Sequence, residues 1–525
     1  MTKFSYSDYL SQFRNVGAKR DNVQPALVGD GRRGDAPRDA ENKDGWTPLH
    51  YAAYCGQAEC LKVLLRAHPA SADKRTLQEQ TALLLAVSAQ HLPCVQCLLE
   101  AGADPDISSK NKETPLYKAC ELQNLPALGL LLAHGATVNQ RCARGWTALH
   151  EAVSRGNTAA CDMLIGAGAT LNPANTYCVA PLSVAARRGQ AHVQEPLPLG
   201  ADVNVQTCEG VTALHEACRN GHADAAAVLL SRNADANKAT AAGLLPLHFA
   251  AQYGHDDIVS LLVPVTSRAR LRHSGISPLH LAAEHDRRAA AAALLRSGAD
   301  VDAALARGYA ERYADRRATA LYVAVAGGNA ETAAVLLNAG ASLSLDPVSP
   351  LLMAVRQGCG ATVALMLEKG ADANARLPSR PTTFPAAVAL CMNDLRLLKC
   401  LLDNGCDASS CFGCAYGSGP HPPSGGSQIR TFCEWISAPA MRPWAGPVID
   451  LLLEHVAHVR LCSRLTELLD SHPDWTAVKR KSLSPRSLLH LCRLRIRGDV
   501  GRHRLKSLPT LPLPDRLIRY LSLTD

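Results

Sequence analysis

The sequence predicts an all-α fold: a solenoid of about eleven helix-turn-helix repeats followed by a helical C-terminal segment. Three observations carry that prediction. Apolar residues make up 47% of the chain while aromatics make up only 4%, with six Phe in 525 residues. Such a core is written mostly in Ala and Leu, which suits small helices packed closely and disfavours a large all-β protein. A tetrapeptide of the Thr-Pro-Leu-His type recurs with a period close to 33 residues, as stacked supersecondary units require. The length itself would otherwise call for three or four separate domains at about 150 residues each.

The repeat anchors begin at Thr47, Thr81, Thr114, Thr147, Ala180, Thr212, Leu245, Ser277, Thr319, Ser349 and, degenerately, Phe384. Their core pattern resembles the ankyrin repeat. Each position has a physical task. Thr can cap the first helix, and Pro at its first position lacks an N–H that would be unsatisfied anyway. Leu enters the core, and paired alanines (Ala52 and Ala53, Ala250 and Ala251, Ala282 and Ala283) let helices approach. Nine residues after the anchor, Gly56, Gly156, Gly189, Gly221, Gly254, Gly328 and Gly358 are placed to end that helix in a left-handed turn. A Leu-rich second helix follows, as in Cys60-Leu-Lys-Val-Leu-Leu65. Gly-Ala-Asp-x-Asn segments, such as 200–204 and 370–374, then turn the chain into the next repeat. His50, His150, His215, His248 and His280 occupy one position of this motif, so their spacing by whole repeats marks them as structural rather than catalytic. The stack would leave an extended surface of helices and turn tips, a shape suited to binding proteins.

Three segments depart from the pattern. Residues 1–43 show no repeat and read as a disordered N-terminal segment, polar and Gly-rich around Gly29–Gly34. In the repeat anchored at Ala180, Pro196 and Pro198 stand where the second helix is expected, at a cost of roughly 3 kcal/mol for an interior proline. The 42-residue spacing after Ser277 contains an Arg- and Tyr-rich insert whose Arg307, Arg312 and Arg316 are candidate substrate contacts. The array is assigned to 44–408, a Gly/Pro/Cys-rich loop to 409–443, a helical connector to 444–477 and the C-terminal module to 478–525.

Charge and cysteine content narrow the functional classes. The formal net charge is +8, and residues 451–525 hold 14 basic against 7 acidic side chains. The array is therefore close to neutral, which disfavours nucleic-acid binding. No segment approaches the roughly 18 apolar residues of a membrane span, and the start lacks the apolar core of a secretory signal. Nineteen cysteines without an export signal read as reduced thiols in a cytoplasmic protein, not as a disulfide framework. Cys411, Cys414, His421 and Cys433 form a zinc-compatible set of soft ligands within one loop. With no second paired motif, buried or incidental thiols are the preferred reading, and no metal or cofactor is assigned.

The sharpest functional signal lies near the C-terminus. In Ser487-Leu-Leu-His-Leu-Cys492-Arg-Leu-Arg-Ile496, Leu488, Cys492 and Ile496 share one helical stripe at i, i+4 and i+8. Leu488 is the natural anchor for an apolar pocket, with Leu491 beside it, while Arg493, Arg495 and Arg497 are expected to keep the other faces wet. This is helix-in-groove recognition. Fifteen residues after Ile496 come Leu511, Pro512, Leu513 and Pro514, a stiff extended segment. Asp515 is expected to cap a short helix carrying Leu517, Ile518 and Leu521.

The first segment resembles the elongin-binding BC box and the second the cullin-5 box of a SOCS box. Ankyrin repeats followed by a SOCS box identify the chain as a member of the ankyrin repeat and SOCS box family. The likeness also includes Phe4-Ser-Tyr6, Arg75–Glu79, Arg144–His150, Pro264–Arg268 and Gly419–Pro423. What it implies is a non-catalytic substrate receptor of an E3 ubiquitin ligase, not an enzyme in its own right. Ser487, Leu488, Leu491, Cys492 and Ile496 would bind elongin C within the elongin B/elongin C pair. Leu511, Pro512, Leu513 and Pro514 would bind cullin-5, and a RING-box protein would complete the ligase. The resemblance further implies filamins as substrates, a role in muscle differentiation, and a cytoplasmic location at the cytoskeleton (stress fibres or the Z line). It departs at 21–43, where related chains have an additional repeat, and at Pro196.

Two other classes compete. No phosphate-binding G-x-x-x-x-G-K, no H-E-x-x-H and no G-x-S-x-G is present, which leaves catalysis without a motif. A non-catalytic ankyrin scaffold that tethers cytoskeletal or signalling proteins is the alternative, and the C-terminal module is what distinguishes the two.

Overall fold

The structure, a computed structural model, describes residues 43–191, 201–306, 319–377, 382–391, 393–417, 419–421, 431–500 and 513–522. Its described elements are helical throughout. All eleven anchors open a helix, from Pro48–Tyr54 through Pro181–Arg188 to Ala386–Leu390, and ten are followed by a described second helix, from Ala58–Ala67 to Leu395–Asp403. The segment where the second helix of the Ala180 repeat is expected, with Pro196 and Pro198, lies outside the described residues, as do residues 1–42 and Arg307, Arg312 and Arg316.

The anchor chemistry works in two ways. At Thr81, Thr114 and Thr319 the hydroxyl accepts the backbone N–H three residues on, at 3.1–3.2 Å. At Thr47, Thr147, Thr212 and Leu245, where the fourth residue is His, the imidazole takes part. Nδ1 of His150 accepts from the Thr147 N–H at 3.2 Å, while its Nε2–H donates to the carbonyl of Val179 in the next repeat at 3.1 Å. His50 and His215 repeat the arrangement onto Lys74 and Leu244. Each such histidine caps its own helix and fastens the following turn, so its recurrence is structural.

Glycine is required where the first helix stops. Gly221 has φ 78°, and a Cβ there would lie 2.5 Å from the His255 ring, so both torsion and space exclude a side chain. The Leu-rich second helices bury a stripe such as Leu61 and Leu65, and the paired alanines at 250–251 and 282–283 are fully buried. The Asx turns then join one repeat to the next. Asn204 Oδ1 accepts the Asp235 N–H at 2.8 Å, and Asn374 Oδ1 accepts the Asp407 N–H at 2.7 Å.

The chain divides into two compact units, 1–270 and 271–525. In the first unit the turn tips form a ladder of backbone hydrogen bonds: Leu77 to Asp44, Lys110 to Gln78, Ala143 to Asn111, Thr176 to Arg144 and Ala241 to Glu209. Between the tips at 175–179 and 207–211 the chain is joined by a disulfide, Cys178–Cys208, with Cα atoms 5.6 Å apart. The expectation that every thiol stays free is corrected at this pair. The repeat pitch stacks equivalent tip positions within bridging distance, which a composition argument cannot see. Cys120, Cys161 and Cys218 are free and buried, and burial pushes the Cys161 thiol up to about 12.

In the second unit, helices Pro278–Glu284 and Ala320–Ala326 pack directly on each other across the long spacing. Asn329 Nδ2 donates to the carbonyls of Ala283 and Glu284 at 2.7 and 3.0 Å. The repeats on either side of the long spacing thus stack directly on each other. After the last repeat come Phe432–Ile436, Arg442–Leu453, Ser463–Asp470 and Thr476–Leu483, then Leu488–Val500 and Asp515–Ser522.

Candidate functional site

The helix Leu488–Val500 presents several of its apolar residues outward. Leu488 is 77% exposed, Leu489 61%, and Leu491 and Ile496 38% each, and Cys492 is also exposed. Ser487 is exposed as well, and its hydroxyl accepts the His490 N–H at 3.2 Å, starting the helix. Ser487, Leu488, Leu491, Cys492 and Ile496 are thereby brought onto one accessible surface.

The inward face is basic, which corrects one expectation. Of Arg493, Arg495 and Arg497, only Arg495 is wet; it pairs with Asp499 four residues on, at 2.8 Å. Arg493 is buried and lies over the Tyr520 ring, 4.8 Å from its centroid. Arg497 donates to the carbonyls of Leu521 and Asp403. His490 donates from Nε2 to the Val456 carbonyl at 3.2 Å and accepts from Arg493 at Nδ1. Arg486 donates to the carbonyl of Leu453, at the end of the connector helix, at 2.8 Å.

The physical cause is a supply of carbonyls. Helices Leu395–Asp403 and Arg442–Leu453 end nearby with unsatisfied oxygens, and long cationic side chains reach them while their stems fill the interface. Burial in that interface holds the His490 imidazole below its ordinary value. A helix with charge inside and leucine outside inverts the usual amphipathic order and leaves an apolar row on the surface.

Leu513 is half-buried and Pro514 exposed, while Leu511 and Pro512 lie outside the described residues. Helix Asp515–Ser522 forms as expected, with one change of detail. The Pro514 carbonyl accepts the N–H groups of Leu517 and Ile518, so Asp515 sits in the first turn rather than at the cap. Leu521 is buried against the 488–500 helix, whereas Leu517 is 37% exposed.

On the repeats, the first helices carry linked polar and aromatic side chains. Tyr117 donates to Glu151, which also accepts from Arg155; Arg187 pairs with Glu216; and Arg219 lies over Phe249 and Tyr253. Trp46 packs against Tyr51 and Tyr54, both exposed, in the first layer. These residues went unmarked in the sequence because each sits inside a repeat position.

The loop cysteines separate. Cys411 is buried beside Cys391 and Cys406, while Cys414, His421 and Cys433 converge with Cys462, which sequence reasoning missed.

Comparison with known proteins finds both kinds of module in the chain. A model described as ankyrin repeats matches residues 18–109, 83–175, 182–269 and 233–305, and one described as SOCS box matches 484–522. The chain is 51% identical over 510 residues to Ankyrin repeat and SOCS box protein 2 of Rattus norvegicus, covering 94% of this chain and 80% of that one. The proteins of the same name from Mus musculus and Homo sapiens are 52% and 51% identical, each covering 91% of this chain and 78% of theirs.

Proposed function

The chain belongs to the ankyrin repeat and SOCS box protein family, and from that premise we propose that it is the substrate-recognition subunit of an elongin B/C–cullin-5 E3 ubiquitin ligase. The observation that carries the reading is the inverted helix Leu488–Val500, whose basic side chains hold it to the rest of the chain and leave Leu488, Leu491, Cys492 and Ile496 outside. Leu488 would enter an apolar pocket of elongin C, with Cys492 and Ile496 extending the contact along the groove. Leu511, Pro512, Leu513 and Pro514 would meet cullin-5, which brings the RING-box protein. Ubiquitin-transfer chemistry belongs to those partners, and this chain raises the local concentration of substrate beside them.

The ankyrin surface would hold the substrate. Filamins are the substrate that the family resemblance implies, together with a cytoplasmic, cytoskeleton-associated location and a role in muscle differentiation. A non-catalytic scaffold that tethers cytoskeletal or signalling proteins is the alternative. Co-expression of the full chain with elongins B and C separates the two. A stable ternary complex that also captures cullin-5 supports the receptor. A chain that purifies without elongins while its repeats are folded overturns it. Filamin is tested separately, by capture on the intact chain and on one with the elongin site disabled, under proteasome inhibition.

A further inference from the structure

We propose that Cys414, His421, Cys433 and Cys462 form a structural zinc site that clamps the end of the repeat array to the helices preceding the C-terminal module. The ligand atoms of these four residues all lie within 4.8 Å of one another. Zinc bonded to sulfur at about 2.3 Å and to nitrogen at about 2.0 Å in a tetrahedron sets S···S edges of about 3.8 Å and S···N edges of about 3.6 Å. Three edges can be compared. Cys433 Sγ lies 3.7 Å from Cys414 Sγ and 3.6 Å from His421 Nε2, and Cys414 Sγ lies 3.1 Å from His421 Nε2. Three sulfurs and one imidazole form a soft donor set that suits zinc. Four protein ligands complete the coordination, as structural sites require.

The surroundings orient the imidazole for this role. Ser463 Oγ donates its one hydrogen to the Gly419 carbonyl at 2.9 Å, so at 3.1 Å it accepts from His421 Nδ1–H. The proton is thereby held on Nδ1, and the Nε2 lone pair faces the three sulfurs. A ligating histidine is commonly fixed in this way by a partner on its other nitrogen. Cys433 and Cys462 are 1% and 2% exposed. Cys462 is the N-cap residue of helix Ser463–Asp470, where the helix dipole favours a thiolate. The Thr431 hydroxyl lies 3.3 Å from Cys433 Sγ and can donate to it.

The four ligands come from three places: Cys414 and His421 from the loop after the 3-10 turn Ser409–Phe412, Cys433 from the short helix Phe432–Ile436 and Cys462 from the start of Ser463–Asp470. No single pair forms a Cys-x-x-Cys ligand motif. Cys411, the partner such a motif would give Cys414, is buried on the core side of its turn. On binding, the three thiols would release their protons and the neutral imidazole would bind directly, giving the site a net charge of −1.

The test is elemental analysis of the full chain, co-purified with elongins B and C under reducing conditions without added metal. About one zinc per chain is expected, released on titration with an organomercurial. Cys411→Ser should retain it, His421→Cys should retain it as a four-sulfur site, and Cys433→Ser with Cys462→Ser should lose it. Loading the unsubstituted chain with Co2+ should give the intense visible bands of a tetrahedral thiolate site, independently of any variant. The proposal is overturned if the unsubstituted chain carries zinc far below one equivalent and gives no such bands. It is equally overturned if Cys414 and Cys433 prove to be joined as a disulfide, or if Cys411→Ser loses metal as readily as the double variant.

Discussion

Arg497 and Asp403, 94 residues apart, are joined twice. One guanidinium nitrogen donates to the Asp403 backbone carbonyl at 3.1 Å and lies 3.5 Å from its carboxylate. The other end of the same guanidinium donates to the Leu521 carbonyl. One side chain therefore ties helix Leu488–Val500 to the last ankyrin layer and to the final helix. The Asp403 carboxylate also lies 3.3 Å from His455 Nε2.

Arg497→Ala should loosen the docking helix without touching its outer face. Removing charged hydrogen bonds from a largely buried interface costs about 1.5–3 kcal/mol. The expected outcome is a lower unfolding midpoint for the C-terminal unit and faster amide exchange along 488–500. Elongin binding should weaken only several-fold, because the apolar stripe remains. Hydrogen exchange and a titration with purified elongin B/C check both. Unchanged exchange in that helix would refute the anchoring role.

Leu488→Ala with Cys492→Ala should have the opposite profile. Leu488 is 77% exposed and Cys492 is exposed, so stability should move by less than about 0.5 kcal/mol. An anchor leucine and its neighbour on one stripe should together cost upwards of about 2 kcal/mol of binding, or at least thirtyfold in affinity. A double variant that binds elongins normally, or one that unfolds, would contradict the placement of that face.

The contrast between these two variants shows what was legible. Leu488, Cys492 and Ile496 could be read as a stripe because their relation is local, at i, i+4 and i+8. Which way the stripe faces could not be read, because it is decided by Asp403, Val456, Tyr520 and Leu521, all remote in the chain. Arg493 and Arg497 were accordingly expected in water. The repeats were legible for the same local reason, including the structural role of the recurring histidines, since each 33-residue unit announces its own caps and turns. The Cys178–Cys208 pairing and the place of Cys462 beside Cys433 depend on stacking and on a loop return. No sequence interval marks either.

Acid should weaken the array through its capping histidines. Burial lowers the imidazoles of His150 and His215 to about 4 from an ordinary 6.5. The unfolded chain then binds protons that the folded one refuses. Stability should be level above about pH 6.5, fall as the pH drops from there, and level off near pH 4, where both states are protonated. Each pH unit within that window is worth up to about 1.4 kcal/mol per histidine. Denaturant titrations of the full chain between pH 7.5 and 4.5 measure this slope. In His150→Gln with His215→Gln the slope should be shallower, although the starting stability is lower. A slope unaffected by removing both imidazoles would reject the assignment.

The layer containing Pro196 and Pro198 raises the question of what holds its first helix. Pro181–Arg188 rests against Ala213–Asn220, and between them Arg187 Nε donates to Glu216 Oε2 at 3.1 Å, with the Glu216 side chain wholly buried and Arg187 only 15% exposed. Removing one half of such a buried pair takes a close counter-charge from the other, which costs up to about 3–5 kcal/mol. Glu216→Ala should therefore be among the more damaging single changes in the 1–270 unit, and Arg187→Ala nearly as damaging. A change of Arg187 and Glu216 together to Met and Leu should recover much of the loss, since it removes both charges and restores volume. Thermal unfolding of the four proteins closes the cycle. If the paired replacement is no better than the sum of the single ones, the two charges are not what couples these helices.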